Sequence, residues 1–302
     1  FNFIDFYKSR VKRIVPIFYL MLLVVGIVGS IIYLSGDIAG LRKNVIWAVL
    51  FNSNNYLAGL DNYFGASSLE NPLLHTWTLS IEMQFYLVLP VFLIFIKRKY
   101  LLTVTIVVAF ILFLYSYLNS TYLNNKGIMY FSLLARMPEF LIGVIFGRVG
   151  LMLNSKSLNS LLINVISCFS FIGLVVLGFI FNEGLNFPGL LVIIPCLLTG
   201  FLLISQGSLI NKFLSKRLFV HIGELSYSIY LWHWPIMAFL RYYNNRETFT
   251  ISEIVFIIFL TYFCSLISYS LVEEKGRKMR DWSFSIVLVG TCILLISGVS
   301  LI

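Results

Sequence analysis

The chain has 302 residues, of which 59% are hydrophobic and only 12% charged, and its formal net charge is +9. A water-soluble domain of this size carries about twice that share of charge, so a soluble fold is excluded and a polytopic membrane protein is indicated. The basic surplus is spread over short loops rather than gathered on one face, which excludes nucleic acid as an expected partner.

Backbone polar groups in lipid must be satisfied inside the segment, which leaves helices or a closed barrel. The apolar runs are about 20 residues long and do not alternate, the pattern of helices. In chain order, nine runs are predicted to cross: 15–34, 78–96, 101–118, 130–149, 161–181, 188–205, 224–240, 251–272 and 282–302. A tenth, 44–57, is shorter and interrupted by Asn52, Ser53, Asn54 and Asn55.

The cations decide how to read that tenth run. With Lys8, Arg10, Lys12 and Arg13 in the cytoplasm and 44–57 not crossing, three later groups also fall inside. These are Lys97, Arg98 and Lys99; Arg148 with Lys156; and Lys212 with Lys216 and Arg217. Lys275, Arg277, Lys278 and Arg280 join them. The opposite loops hold Asp61, Glu70, Lys126 and Glu183, with Arg241 and Arg246 as exceptions. The tenth run is therefore expected to be re-entrant or interfacial, and the C-terminus extracytoplasmic. The expected fold is an all-α transmembrane bundle of about nine spans plus that segment. It forms one membrane domain over 1–302, without internal repeat or linker. Because residue 1 is Phe rather than Met and the chain stops in an apolar run, it is expected to be part of a longer protein.

The first chemically suggestive stretch is FYKSRVKRIVPIFY at 6–19. Arg10 and Arg13 are three apart and share a helix face. Their planar donor forks suit phosphate, and an anchor on anionic lipid is the competing reading. Pro16 is expected in the first helical turn, where its missing N–H does no harm. In HTWTLSIEMQFY at 75–86, His75 is expected at the outer lip of a span, with Glu82 seven residues further in, about 10 Å along the axis. A His and a carboxylate on one face suit proton relay. An interfacial His beside Trp77 is the alternative, but a carboxylate within a span needs a partner.

Further along, Arg136 and Glu139 sit at i,i+3 beside Pro138. They either neutralise one another or Arg136 serves Glu82 or an anion. Gly143 and Gly147 read as a packing seam. In GELSYSIYLWHWPI at 223–236, Ser226, Tyr230 and His233 fall at helical spacing and should line a polar face turned into the bundle, with Tyr227 and Trp232 beside it. His233 is either catalytic or binds carbonyls left free by Pro235. His221 is expected to be interfacial. Cys168, Cys196, Cys264 and Cys292 lie in apolar runs without zinc-site or disulfide spacing, so inert thiols and no metal site are expected.

These blocks together resemble the acyltransferase 3 family of integral-membrane O-acyltransferases. A basic FYxRRxxRIxP start is matched by Phe6, Tyr7, Arg10, Arg13, Ile14 and Pro16. An LHTWSLSVEEQFYLxxP block is matched over 74–90, an RxxE span at 136–143, and SYSxYLWHWP at 226–235. Met83 replaces the second Glu of the family's pair, leaving Glu82 as the carboxylate there. The resemblance implies that two further spans precede residue 1, carrying an Arg, then about ten residues later the catalytic His, and an aromatic-rich FFxxSG segment. An SGNH-type domain follows in some members.

The implied activity moves an acyl group, acetyl above all, from cytoplasmic acyl-CoA at Arg10 and Arg13 to a hydroxyl of a surface polysaccharide or lipid-linked glycan. The implied place is the bacterial inner membrane, in contact with its lipids. Glu82, Arg136, Glu139 and His233 would polarise the cavity, with His75 at its outer mouth and Ser226, Tyr227, Tyr230 and Trp232 lining it. A proton-coupled secondary transporter or lipid-carrier flippase would also explain intramembrane Glu, Arg and His, although such proteins often carry internal pseudo-symmetry. A non-catalytic scaffold would leave the polar groups without a purpose.

Overall fold

The computed structural model describes residues 2–59, 66–123, 125–153, 159–181, 189–279 and 290. In chain order the helices are α1 (Phe3–Ile32), α2 (Ser35–Val49), α3 (Ser53–Ala58), α4 (Ala66–Leu69), α5 (Thr76–Phe95), α6 (Leu101–Thr121) and α7 (Lys126–Phe131). They continue as α8 (Leu133–Met152), α9 (Ser160–Ile180), α10 (Ile193–Ile204), α11 (Leu209–Leu214), α12 (Arg217–Asn244), α13 (Ile251–Ser268) and α14 (Glu274–Lys278). A π turn, Tyr269–Glu273, joins the last two. No strand occurs among the described residues.

Among the described residues five stretches are both long and apolar enough to cross a membrane: α1, α5, α6, α9 and Ile251–Gly276. The other expected spans fall short for visible reasons. Helix α8 has 20 residues but carries Arg136, Glu139 and Arg148. Helix α12 has 28 residues, yet tyrosines, tryptophans, His233 and Pro235 dilute its apolar character. Helix α10 has only 12 residues. The predicted span 282–302 lies, apart from Gly290, outside the described residues, as do Asp61, Lys156, Glu183, Arg280 and Cys292.

The contacts separate two compact units, Phe1–Met83 with Ile222–Ile302, and Gln84–His221. In the first, α1 starts well before the expected span. The Asn2 side chain accepts from the Ile4 N–H at 3.1 Å and caps the helix, so the basic stretch forms its first turns. Pro16 consequently lies deep inside α1 rather than in the first turn. It deprives the Lys12 carbonyl of its i+4 donor. Gly276 lies against that break, where a Cβ would stand 3.5 Å from Pro16 Cγ and 3.6 Å from the Lys12 oxygen.

Helix α1 buries Ile17, Phe18, Met21, Leu22 and Val25 and packs on α2, the π turn and α14. Helix α2, at 15 residues, extends about 22 Å. It ends beside Tyr19, whose hydroxyl donates to the Val49 carbonyl at 3.2 Å. Phe51 then adopts φ 50°, a conformation that bulky residues rarely accept. Its ring packs 5.0 Å from that of Phe18. Helix α3 follows, with Ser53 and Asn54 buried. The Ser53 N–H donates to Ser80 Oγ at 3.2 Å, and Thr76 Oγ1 donates to Ser53 Oγ at 2.9 Å. The run 44–57 is thus a helix, a tight reversal and a second short helix, with neither helix long enough to cross. The reversal is closed by main-chain bonds, from the Phe51 N–H to the Ala48 carbonyl and from the Asn52 N–H to the Trp47 carbonyl, each at 2.9 Å.

In the second unit α6 packs on α8, and α9 and α8 on α10. Phe85, Ala109, Met137 and Leu141 form a buried cluster. Close approach depends on Gly200, where a Cβ would lie 2.2 Å from Phe146 Cδ2. Gly143 and Gly147 do not form the expected packing seam. A Cβ on either meets nothing within 4 Å, and both line a cavity of about 250 Å³ with Gly150, Ile163 and Leu203.

Candidate active site

The first unit gathers its polar groups along α12. Tyr230 donates its phenolic hydrogen to the His75 carbonyl at 2.6 Å and pairs with Thr78 Oγ1. One side chain therefore joins α12 to the start of α5. The His75 ring lies 5.3 Å from that of Tyr230 and 5.9 Å from that of His233. His75 is buried with both ring nitrogens enclosed, and the Leu231 backbone is the polar group that acts on its ring from α12. His233 places Nδ1 2.7 Å from the Tyr230 carbonyl and 3.3 Å from that of Ile229. It does not serve Leu231, the carbonyl that Pro235 leaves without its helical donor.

His75 is buried beside the middle of α12. Tyr33, just past α1, stacks 4.3 Å from Tyr242 near the end of α12 and donates to the Glu70 carbonyl at 2.6 Å. His233 precedes Tyr242 by nine residues, about 13 Å along the axis. The stretch from Glu70 to His75 runs as turns rather than helix, held where Trp234 Nε1 donates to the Asn71 carbonyl at 2.9 Å. Helix α5 begins only after it, at Thr76.

A second polar group lies toward the basic end of α1. Tyr227 donates to the Ile14 carbonyl at 2.9 Å. Glu82, Glu273 and Arg13 all act electrostatically on the Tyr227 side chain. Glu82 is half-buried, and Arg13 is exposed while Arg10 is half-buried over the Phe6 ring at 5.4 Å. Lys12 Nζ donates to the Met279 carbonyl at 2.7 Å, tying α1 to the end of α14.

Glu273 was not among the expected site residues. It is 1% exposed and accepts from Ser228 Oγ at 3.1 Å. A buried carboxylate requires such partners, and π turns recur at functional sites. Its only trace in the sequence is an acid at the last turn of an apolar run.

Ser226 departs from expectation. It is exposed and donates to the Gly223 carbonyl at 2.7 Å. Ser228, two positions on and about 200° around the helix, is the buried serine instead. Trp232 Nε1 donates to Ser268 Oγ at 2.9 Å and fastens α12 to α13. Arg136 and Glu139 belong to the second unit, where they form an ion pair at 2.8 Å. The ion pair that the i,i+3 spacing allows is therefore present. No cluster of three or more metal-ligating His, Cys, Asp or Glu occurs among the described residues.

The arrangement offers two neutral-capable imidazoles at depth, two carboxylates with an arginine toward one end, and phenols between them. Such groups move protons and hold polar reactants in a dry setting.

The profile of a family described as an acyltransferase domain matches residues 1–270. An uncharacterised protein of Haemophilus influenzae is 33% identical over 213 residues, 67% of this chain and 86% of its own length. A putative O-acetyltransferase of Staphylococcus aureus is 30% identical over 307 residues, covering 94% of this chain and 50% of that protein. O-acetyltransferase OatA of S. aureus is 28% identical over 304 residues, 94% of this chain and 49% of its own. The chain thus spans about half the length of these two staphylococcal relatives. No solved structure matches it.

Proposed function

The chain belongs to the acyltransferase domain family, and from that premise we propose that it is the membrane part of an O-acyltransferase that carries an acyl group to a glycan hydroxyl. The observation that supports this best is the polar line inside the first unit. It runs from Arg13, Glu273 and Tyr227 at one end to Tyr230, His233 and His75 at the other, between helices apolar enough to lie in lipid.

Acyl-CoA, with acetyl the first candidate, is the donor. Its phosphates meet Arg10 and Arg13 on the cytoplasmic side, where exposed or half-exposed guanidinium groups suit anionic oxygens. The acceptor hydroxyl arrives from the other face, on a surface polysaccharide or lipid-linked glycan. Glu82 and Glu273 hold the charge balance around Tyr227, while His233 and His75 face the acceptor. The place is a bacterial inner membrane, with the donor pool on one side and the envelope on the other.

The test uses the full-length protein in liposomes with acetyl-CoA on the Arg10 side and a chito-oligosaccharide outside. CoA release together with a 42-dalton mass gain on the sugar, about one acetyl group replacing one hydrogen, supports the reading. Sugar transport without CoA release refutes it. Arg10→Ala with Arg13→Ala should raise the acetyl-CoA dissociation constant roughly 10–100-fold, about 1.4–2.8 kcal/mol. Unaltered affinity in a titration of the double variant removes these residues from the donor site.

A further inference from the structure

The cavity in the second unit carries an inference that goes beyond the acyl-transfer reading and does not depend on it. It holds about 250 Å³ between the second half of α8, the first turn of α9 and the last turn of α10. Gly143, Gly147 and Gly150 stand at i, i+4 and i+7 on one face of α8 and strip that wall to the backbone. Phe146 and Leu151 of α8, Ile163 of α9 and Leu203 of α10 form most of the rest. Gln206 is the one polar side chain that lines it among the described residues. Gly143 and Gly147 are exposed, so the cavity opens to the outside of the unit.

Left empty, such walls forfeit packing contacts, and they are too apolar to hold water, which needs about two to four polar partners. A second helix, about 10–12 Å across with its side chains, is too broad to enter. A single hydrocarbon chain is not, and in a bilayer hydrocarbon is the solvent. The same end of the unit is cationic. Asn211 Nδ2 donates to the Leu202 and Ser205 carbonyls at 3.2 and 2.9 Å, and the Leu209 N–H donates to Asn164 Oδ1 at 2.9 Å. These bonds pin α11 to the ends of α9 and α10 that bound the cavity, with Lys212 one residue past the anchor. Lys216, 5.2 Å over the Phe213 ring, and Arg217 follow. Arg148 sits beside Gly147 in α8 with Nε enclosed and unpartnered. None of these four cations forms an ion pair among the described residues. The chain has no Asp or Glu from 140 to 182 or from 184 to 223. The distribution of basic loops puts this end in the cytoplasm, where the leaflet is rich in anionic headgroups.

We propose that this cavity is a lipid site, which takes one acyl chain of an anionic phospholipid while the phosphate lies against the cations of α11. The chain runs along the bare backbone of the three glycines, where a larger residue would fill the space. The headgroup finds lysines that no carboxylate neutralises. Basic pockets between transmembrane helices hold phosphate headgroups in this manner. The bound chain supplies the packing that α8, α9 and α10 lack between them, and it stabilises the unit by mass action. Chain and headgroup are held by different residues, so their contributions separate.

Native mass spectrometry of the full-length protein, titrated with phosphatidylglycerol or with phosphatidylcholine of the same chains, counts the lipids retained. The unaltered protein should keep one phosphatidylglycerol at concentrations where phosphatidylcholine has left. Gly147→Leu grows into the cavity from a position where a Cβ meets nothing within 4 Å. It should weaken retention of both lipids roughly tenfold, the worth of about two buried methylenes. Gly178→Leu on α9, equally open at Cβ but not lining the cavity, should retain lipid as the unaltered protein does. Lys212→Gln with Lys216→Gln should instead cost phosphatidylglycerol roughly tenfold and leave phosphatidylcholine unchanged. Both lysines are exposed, so this arm decides the matter even if Gly147→Leu does not fold. Excess inorganic phosphate should not displace the lipid, and displacement would overturn the proposal in favour of a free-phosphate site. Phosphatidylcholine held as well as phosphatidylglycerol, or equal retention in Gly147→Leu and Gly178→Leu, would overturn it too. So would a dimer that disappears in Gly147→Leu with no lipid retained. No acetyl-CoA is present, so the result stands whether or not the protein transfers acyl groups.

Discussion

A full-length protein carrying Tyr230→Phe is expected to lose acyl transfer roughly 10–100-fold while remaining folded. The phenol is the joint between α12 and the start of α5, donating to the His75 carbonyl and pairing with Thr78 Oγ1. Without it the His75 turn is released from the helix that carries His233. Displacement of about 1 Å at a reacting centre is enough to cost two orders of magnitude in rate. The loss in stability should be small, about 1–2 kcal/mol, since two hydrogen bonds are removed and the ring remains. Tyr242→Phe is the control. Its hydroxyl bonds Asp37 Oδ2 at 2.7 Å near the far end of α12, so its rate should stay within about twofold of the unaltered protein, as expected of a substitution remote from the reacting groups. CoA release in liposomes, with thermal unfolding in detergent alongside, measures both. Equal losses in the two variants would show that the phenol at 230 has no special place.

The largest effect on stability is expected at Gly200→Val. A Cβ at this position would stand 2.2, 2.4 and 2.5 Å from three atoms of the Phe146 ring. That ring also packs edge-on against Phe201, with centroids 5.1 Å apart, and its other side borders the cavity next to Gly143 and Gly147, so accommodation of the new side chain must come from displacing the ring toward that space. Overpacking of this kind costs about 1–3 kcal/mol, and the two methyl groups of valine place the protein at the upper end. Gly200→Ala should fall between Val and the unaltered protein. By contrast, Gly143→Ala should be nearly silent, because a Cβ there meets nothing within 4 Å. Unfolding midpoints of the three proteins in one detergent order the series, and a Gly200→Val midpoint equal to that of Gly143→Ala would contradict it.

Much of this arrangement is legible in the chain because lipid makes polarity conspicuous. The Asn and Ser residues at 52–55 cannot sit in a spanning helix unaided, and they mark where α2 stops and the chain reverses. Tyr230, His233 and His75 stand out from apolar neighbours in the same way. Other features escape a one-dimensional reading. Glu273 sits next to Glu274 and the following cations, so charge alone assigns it to a loop, and only the π turn packed against α1 brings it inside. Ser226 and Ser228 are indistinguishable by composition, because the phase of a helix with polar residues on several sides is set by its neighbours. Pro16 looks like a helix start until Asn2 is seen to cap α1 fourteen residues earlier. The burial of His75 depends on where α5 begins, and nothing in a span-length count records that residues 70–75 run as turns rather than helix.

That non-helical stretch separates two evolutionary demands. Helices α1, α12 and α13 must keep their lipid-facing sequence and their mutual fit. The stretch from Glu70 to His75 is anchored through its carbonyls, at Glu70 by Tyr33, at Asn71 by Trp234 and at His75 by Tyr230. Main-chain anchorage tolerates exchange of the side chains it carries. The side chains along this stretch can therefore be rewritten within a short cassette, without redesign of the helices that hold it.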